Sequence, residues 1–254
     1  MARPCLILAA SVEEIGAFVQ ACPTRRRLPR EWGRGWQVAQ PTWQAVVLLG
    51  GMGGDGPVRL AERALTFWQP QLLLVAGFGG ALTPLPGPTE VMVATASYAL
   101  RLPEGRLQEQ SCPAPPQPVP SLVAALRQRG VPAHGGTAIT TVAVTPKAMI
   151  LPWVQHLANP VVDLESARLA GVAQTSGVPL LVVRAITDGA GEEIEAFLAA
   201  IINQHHQVPL SRLLPALLAR PRRCRHILHL WGRSRRASQN LAKALHGLLP
   251  CLSS

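Results

Sequence analysis

Two periods of apolar residues run along this 254-residue chain and alternate. CLILAAS (5–11) and TWQAVVLLG (42–50) read as buried strands, and so does QLLLVAGFGGAL (71–82). PLLVVRAI (179–186) is a continuous apolar run of the kind found in a parallel strand covered on both faces. TAITTVAV (137–144) reads as a further strand. Between them the period becomes helical. Val12 to Ile15 open a helix, VRLAERALTFW (58–68) and LVAALRQRG (122–130) form others, and Asp163, Glu165 and Ser166 head another that Gly177 and Pro179 end. Residues 23–36 are a basic loop or hairpin approach, and residues 103–120 a Pro-rich surface excursion with polyproline character. IEAFLAAIINQHH (194–206) predicts a helix. Ile227, Leu230, Trp231, Leu241, Leu245 and Leu248 then recur at helical intervals, on one basic amphipathic helix or on two broken at Gly232. Alternating strands and helices of this length predict one large α/β domain or two small ones.

Charge divides the chain. All 14 acidic residues lie at or before Glu195, whereas nine of the 24 Lys and Arg lie after it, so a near-neutral body carries a +9 tail. Two readings stand for that tail. It binds an anionic membrane surface through its apolar stripe, or it packs on the body with its basic face in water. Nucleic acid is disfavoured as a partner, because Trp231 is the tail's sole aromatic and stacking platforms want several. The five cysteines are scattered and lack C-x-x-C spacing, which predicts reduced thiols in a cytoplasm and no metal site. His226 and His229 share a helix face without an acidic neighbour and read as surface histidines. The start of the chain does not read as a secretory signal, and no apolar stretch reaches the ~20 residues of a spanning helix.

Candidate chemistry concentrates in residues 161–191. Glu165, Arg184 and Asp188 are polar exceptions in an apolar unit, and Asp188 sits at the carboxyl end of its strand, where open α/β sheets bind ligands. The plain alternative is that both acids cap helices. Glu14 is open to the same doubt, as an acid in a first helical turn. GGMGGDG (50–56), between strand and helix, is either an anion cradle or a tight turn.

Leu164-Glu165 at a helix start, followed by Arg184-Ala185-Ile186-Thr187-Asp188, resembles the nucleoside phosphorylase and nucleosidase superfamily. The resemblance runs in outline over residues 5–191. Gly51-Met52-Gly53 matches that family's phosphate-contacting G-M-G, Ala76-Gly77-Phe78-Gly79-Gly80-Ala81-Leu82 its glycine-rich strand, and Thr89 to Val93 its next strand start. It implies a single-domain, three-layer α/β/α fold with a central mixed sheet over residues 1–195, and a basic helical extension over 196–254. The implied reaction cleaves an N-glycosidic bond. Asp188 would protonate purine N7, with its pKa raised by burial; Glu165 would bind the ribose hydroxyls; Arg184 would orient a carboxylate; Glu14 would position water. Gly51 and Gly53 would face water or phosphate. Leu164, Met52, Phe78, Gly79 and Val144 would line the substrate, Met52 near the sugar and Val144 where relatives stack a phenylalanine on the base. Phe78 and Val75 replace a hydroxyl residue and an arginine of the phosphate site, which favours hydrolysis, with phosphate as the alternative co-substrate and no other cofactor or metal. The Arg- and Leu-rich tail resembles the hopanoid-associated branch, which implies a lipid-linked nucleoside, adenosylhopane, and a cytoplasmic enzyme peripheral on the inner membrane. The alternatives are a soluble nucleosidase for methylthioadenosine or adenosylhomocysteine and a non-catalytic nucleoside-binding protein. A homo-oligomer is compatible with each.

Overall fold

The computed structural model describes residues 3–102, 104–193 and 221–252. The strands are β1 (Cys5–Ala9), β2 (Thr24–Arg27), β3 (Gly35–Gln40), β4 (Trp43–Leu49), β5 (Leu72–Ala81), β6 (Val91–Arg101), β7 (Arg106–Glu109), β8 (Ala133–Thr140), β9 (Pro160–Asp163) and β10 (Leu180–Asp188). The described helices are α1 (Val12–Ala21), α2 (Gly56–Trp68), α3 (Val119–Gln128), α4 (Lys147–Val154), α5 (Ser166–Ser176) and α6 (Pro221–Leu252). All strands join one mixed sheet, in the order β2-β3-β4-β1-β5-β9-β8-β6-β10, with β7 added beside β6. Strand β10 also pairs with β5, so that β5, β9, β8, β6 and β10 close on themselves.

The apolar runs explain the layers. Parallel strands β1, β4, β5 and β10 are covered on both faces, so nearly all their residues are buried. One face packs Ile15 and Phe18 of α1, Leu122 and Leu126 of α3, and the leucines of α6. The other packs Ala61 and Leu65 of α2 against Leu169 and Ala173 of α5. The result is the three-layer α/β/α arrangement with a mixed sheet.

Strand β5 divides that sheet. One of its edges runs beside β10 from Leu73 to Gly80. The other edge pairs with β1 over Leu72–Val75 and with β9 only from Gly80 onward. Ala76 to Gly79 therefore face a gap between two diverging strands. A split of this kind is where ligands lodge in open α/β sheets.

Three sequence expectations change. The Pro-rich excursion contains β7, which pairs with β6 from Tyr98 to Arg101 and is not polyproline throughout. The strand expected at 137–144 starts earlier and ends at Thr140, followed by α4, which periodicity missed. The tail from 221 is one helix through Gly232. Leu241, Leu245 and Leu248, read as a possible membrane stripe, are 0% exposed and lie in the core with α1 and α3. A stripe at i, i+4, i+7 serves a bilayer surface and a protein core equally, and here the core takes it. The side chains of His226, Ile227, His229, Leu230 and Trp231, and the helix expected at 194–206, fall outside the described residues. No described helix is long and apolar enough to cross a membrane.

Candidate active site

The gap on β5 frees backbone donors, and Glu14 takes one of them. Its Oε1 accepts the Phe78 N–H at 2.9 Å, and its Oε2 accepts the N–H groups of Ala10 and Ser11 at 2.7 and 3.0 Å. The Ser11 bond is the reach-back half of a capping box, so Glu14 both starts α1 and bridges β1 to β5. Gly77 makes the bridge possible. A Cβ there would stand 2.5 Å from Arg184 Nη1 and 2.8 Å from Glu14 Oε1, too close for any side chain. Burial raises the Glu14 pKa, against the pull of its N–H partners and Arg184.

Arg184 is the cation that gathers the acids. On β10, 2% exposed, it donates from Nε to Asp163 Oδ2 at 3.0 Å and from Nη2 to Ser166 Oγ at 2.8 Å and Glu165 Oε2 at 3.4 Å. Asp163 in turn caps α5, accepting the N–H groups of Glu165 and Ser166 and the Thr140 hydroxyl on one oxygen. Burial works against the guanidinium charge, but Asp163, Glu165 and Glu14 outweigh it and hold Arg184 more firmly protonated than usual. Three buried acids thus surround one cation.

Glu165 bears the surplus. Burial first, then the charges of Asp163 and Glu14, push its pKa up to about 7, opposed by Arg184 and by the Gly53 N–H. The folded value lies above the reference 4.5. The native state therefore holds an extra proton between those values, and the stability tied to Glu165 is full below pH 4.5 and lost as pH rises through about 7. Glu165→Gln removes that titration. The Tm of the variant relative to wild type is expected to climb between pH 5 and pH 8, as read by circular dichroism melts; parallel Tm–pH curves would refute it.

Asp188 closes β10 on the far side of Gly80. Its Oδ1 accepts the Thr187 hydroxyl at 2.8 Å. Its Oδ2 faces Nζ of Lys147 at 2.5 Å, out of line for a hydrogen bond, and so has no hydrogen-bonded partner although it is buried. Lys147 Nζ donates instead to the carbonyls of Asp188 and Gly189, at 3.3 and 2.6 Å. Gly80 leaves room for the pair, since a Cβ there would lie 2.5 Å from Asp188 Oδ2.

The glycine loop departs from its expected use. Gly53, at φ 58°, turns its N–H onto Glu165 Oε1 at 2.9 Å, and the Gly51 N–H goes to the Ala10 carbonyl at 3.2 Å. Both donors expected to face water or phosphate are spent inside the protein. Arg168 of α5 fastens the loop through the Gly54 carbonyl and Asp55. A cavity of about 10 Å³, room for roughly one water, lies between Ala10, Gly50, Gly51, Leu169, Glu165 and Arg184.

The structure brings together two hydrogen-bonded groups, Glu14 with Phe78 and Gly53 with Glu165 and Arg184, which meet at Gly77 and interact through charge, with Asp188 beyond Gly80. Met52, Leu164, Phe78 and Val144 are half-buried, and Gly79 is buried against β9. Sequence reasoning missed Lys147, Thr140 and the bracing role of Asp163. Among the described residues no group of three His, Cys, Asp or Glu could hold a metal ion.

A family model described as the phosphorylase superfamily matches residues 4–215. The chain belongs to the phosphorylase superfamily. Membership carries the reaction class that the resemblance implied, cleavage of an N-glycosidic bond. Solved structures share this member's fold at low identity. The 5′-methylthioadenosine/S-adenosylhomocysteine nucleosidase of Neisseria meningitidis, in complex with methylthio-immucillin-A, aligns with a TM-score of 0.70 at 12% identity over 98% of this chain and 100% of that one. The futalosine hydrolase of Helicobacter pylori aligns at 0.70 and 16%, covering 98% and 97%. The S-adenosylhomocysteine nucleosidase of Streptococcus pyogenes, with 5-methylthiotubericidin, aligns at 0.67 and 17%, covering 97% and 98%. No curated protein matches the chain.

Proposed function

We propose that this superfamily member is a nucleosidase that hydrolyses the N-glycosidic bond of a 5′-substituted adenosine and releases adenine. The observation that carries the reading is the buried set around Arg184, in which Glu14, Asp163 and Glu165 surround one guanidinium at the split in β5. Breaking the bond places positive charge on the ribose and negative charge on the base, as in glycoside hydrolysis. Surplus carboxylate charge stabilises the first, so Glu165 would bind the ribose hydroxyls and gain strength as the sugar becomes cationic. Glu14, fixed by three N–H donors, would orient the attacking water. Asp188, at the end of β10, would meet N7 of the base, with Phe78, Gly79, Met52, Leu164 and Val144 around the substrate.

Water is favoured over phosphate. Phosphate would face three buried acids, Arg184 already serves them, and the N–H groups of Gly51 and Gly53 are occupied. Adenosylhopane is the proposed 5′-substituted substrate, on the strength of the Arg- and Leu-rich tail, and the enzyme would work in the cytoplasm at the inner membrane surface. A soluble nucleosidase for methylthioadenosine or adenosylhomocysteine is the second reading, favoured by the burial of Leu241, Leu245 and Leu248 in the core.

The test incubates full-length protein with adenosylhopane or methylthioadenosine, with and without phosphate, and measures free adenine and the sugar product. Adenine with a free sugar, independent of phosphate, is the expected result. A sugar 1-phosphate formed only with phosphate present would overturn the hydrolytic assignment, and turnover of methylthioadenosine alone would select the second reading. Glu165→Gln is expected to lower kcat while KM changes less, since its contacts tighten in the transition state. Steady-state kinetics showing a raised KM with kcat intact would remove Glu165 from that role.

A further inference from the structure

Lys147 is buried at the first turn of α4, and the nucleosidase reading gives it no work. It is 6% exposed, its Nζ lies 2.5 Å from Asp188 Oδ2, and that oxygen has no hydrogen-bonded partner of its own. The chain spends several features on holding the ammonium there. Gly80 leaves the space, with a would-be Cβ only 3.2 Å from Lys147 Cε. The carbonyls of Asp188 and Gly189 accept two of its protons. Glu193 accepts the N–H groups of Lys147 and Ala148, and so ties the start of α4 to the turn that follows β10. The other charged groups around the pair, among the described residues, are Glu192 in the same turn and Arg233 of α6, which binds Glu192 at 2.7 Å.

As the acidic half of a buried ion pair, Asp188 has no proton of its own to give, yet adenine must leave with one. The nearest transferable proton is on Lys147. We infer that Lys147 is the proton reservoir of the site, a positioning residue that acts through Asp188 to supply the proton taken up by the departing base. As the C1′–N9 electron pair moves onto the purine, an Nζ–H bond breaks and an Oδ2–H bond forms. Asp188 passes a proton to N7, adenine departs neutral, and Lys147 is left as an amine. The proton lost by the attacking water restores the ammonium, so protons and charge balance over one turnover.

This inference rests on the nucleosidase reading, and two substrates separate the fates of the two. One is whichever 5′-substituted adenosine the wild type turns over, adenosylhopane or methylthioadenosine, whose base needs a proton. The other is the 4-nitrophenyl riboside with the same 5′ substituent, whose nitrophenolate departs without one. Lys147→Met is expected to slow adenine release about 10²-fold or more, as loss of an acid does, while nitrophenolate release stays within about threefold. Its kcat should survive only toward acid pH, where solvent can supply the proton that Lys147 no longer does. Lys147→Arg keeps the cation but not a releasable proton, since guanidinium stays protonated throughout the accessible range, so it should follow the Met variant. Should Lys147→Met fail to fold, the same ratio of rates is read on Lys147→Arg. Equal losses on both substrates, or wild-type adenine release by Lys147→Arg, would show a brace or a fixed charge and overturn the proposal. Wild-type protein that cleaves the nitrophenyl riboside but no adenosine overturns it too, and a wild type that releases adenine from neither adenosylhopane nor methylthioadenosine sinks the nucleosidase reading itself.

Discussion

Adenine release by Asp188→Asn is expected to fall ~10²–10⁴-fold, the usual cost of removing a general acid. Asparagine fits the space beside Gly80 and its carbonyl oxygen still accepts the Thr187 hydroxyl, so the end of β10 keeps its shape. What disappears is the group proposed to relay a proton to the base. Some stability goes with it. A buried charge stripped of its partner costs about 3–5 kcal/mol. Lys147 retains the carbonyls of Asp188 and Gly189, so about 1–3 kcal/mol is the expected loss, within the range for a hydrogen-bonding defect in the interior. Urea melts give that figure, and kcat is measured where both proteins are folded. An Asn variant with wild-type turnover would take Asp188 out of the chemistry altogether.

Removing α6, by ending the chain at residue 220, is expected to abolish soluble folded protein. Leu241, Leu245, Leu248, Leu249 and Leu252 are all 2% exposed or less. At about 1.5–3 kcal/mol for each fully buried leucine, their burial matches the ~5–15 kcal/mol by which a native domain is stable at all. The helix also reaches the site. The Ser238 hydroxyl donates to the Glu14 carbonyl at 3.1 Å and Asn240 to the Thr89 carbonyl at 2.8 Å. Arg233 hydrogen-bonds Glu192 in the turn beyond Asp188 and holds that carboxyl down at about 2. Size-exclusion chromatography and circular dichroism of the shortened protein provide the check. A monodisperse, helical product that still releases adenine would show α6 to be an appendage.

The long buried strands were legible because water drives a continuous apolar run of that length off the surface on both of its faces. The acids Glu165 and Asp188 and the cation Arg184 were legible because each interrupts such a run. Other features were not. Strand β9 has four residues and α4 has eight, too short for either period to declare itself. Lys147 meets Asp188 across 41 positions, and nothing local distinguishes it from a surface lysine. The glycine-rich loop read as an anion cradle from its composition, but composition does not fix where an N–H points, and the positive φ of Gly53 aims it at Glu165. The small residues of the Ala76-Gly77-Phe78-Gly79-Gly80 string were visible. Their cause, room for Arg184 and Glu14 at one glycine and for Asp188 and Lys147 at another, is a property of strands that meet only in three dimensions.

The pairing of α6 with α1 also sets the timetable on which a new molecule can mature. Ser238 must arrive before the carbonyl of Glu14 finds its partner, 224 positions earlier in the chain. At roughly 5–20 residues per second of synthesis, the apolar side of α1 waits roughly 10–45 s for the helix that covers it. Throughout that interval Ile15, Phe18 and Val19 are open to misassociation, and a ribosome that stalls within α6 releases a chain whose glutamate is in place but whose core is unsealed. Yield in the cell should therefore respond to chaperone supply and translation speed late in the message more than to anything encoded near Glu165 and Asp188.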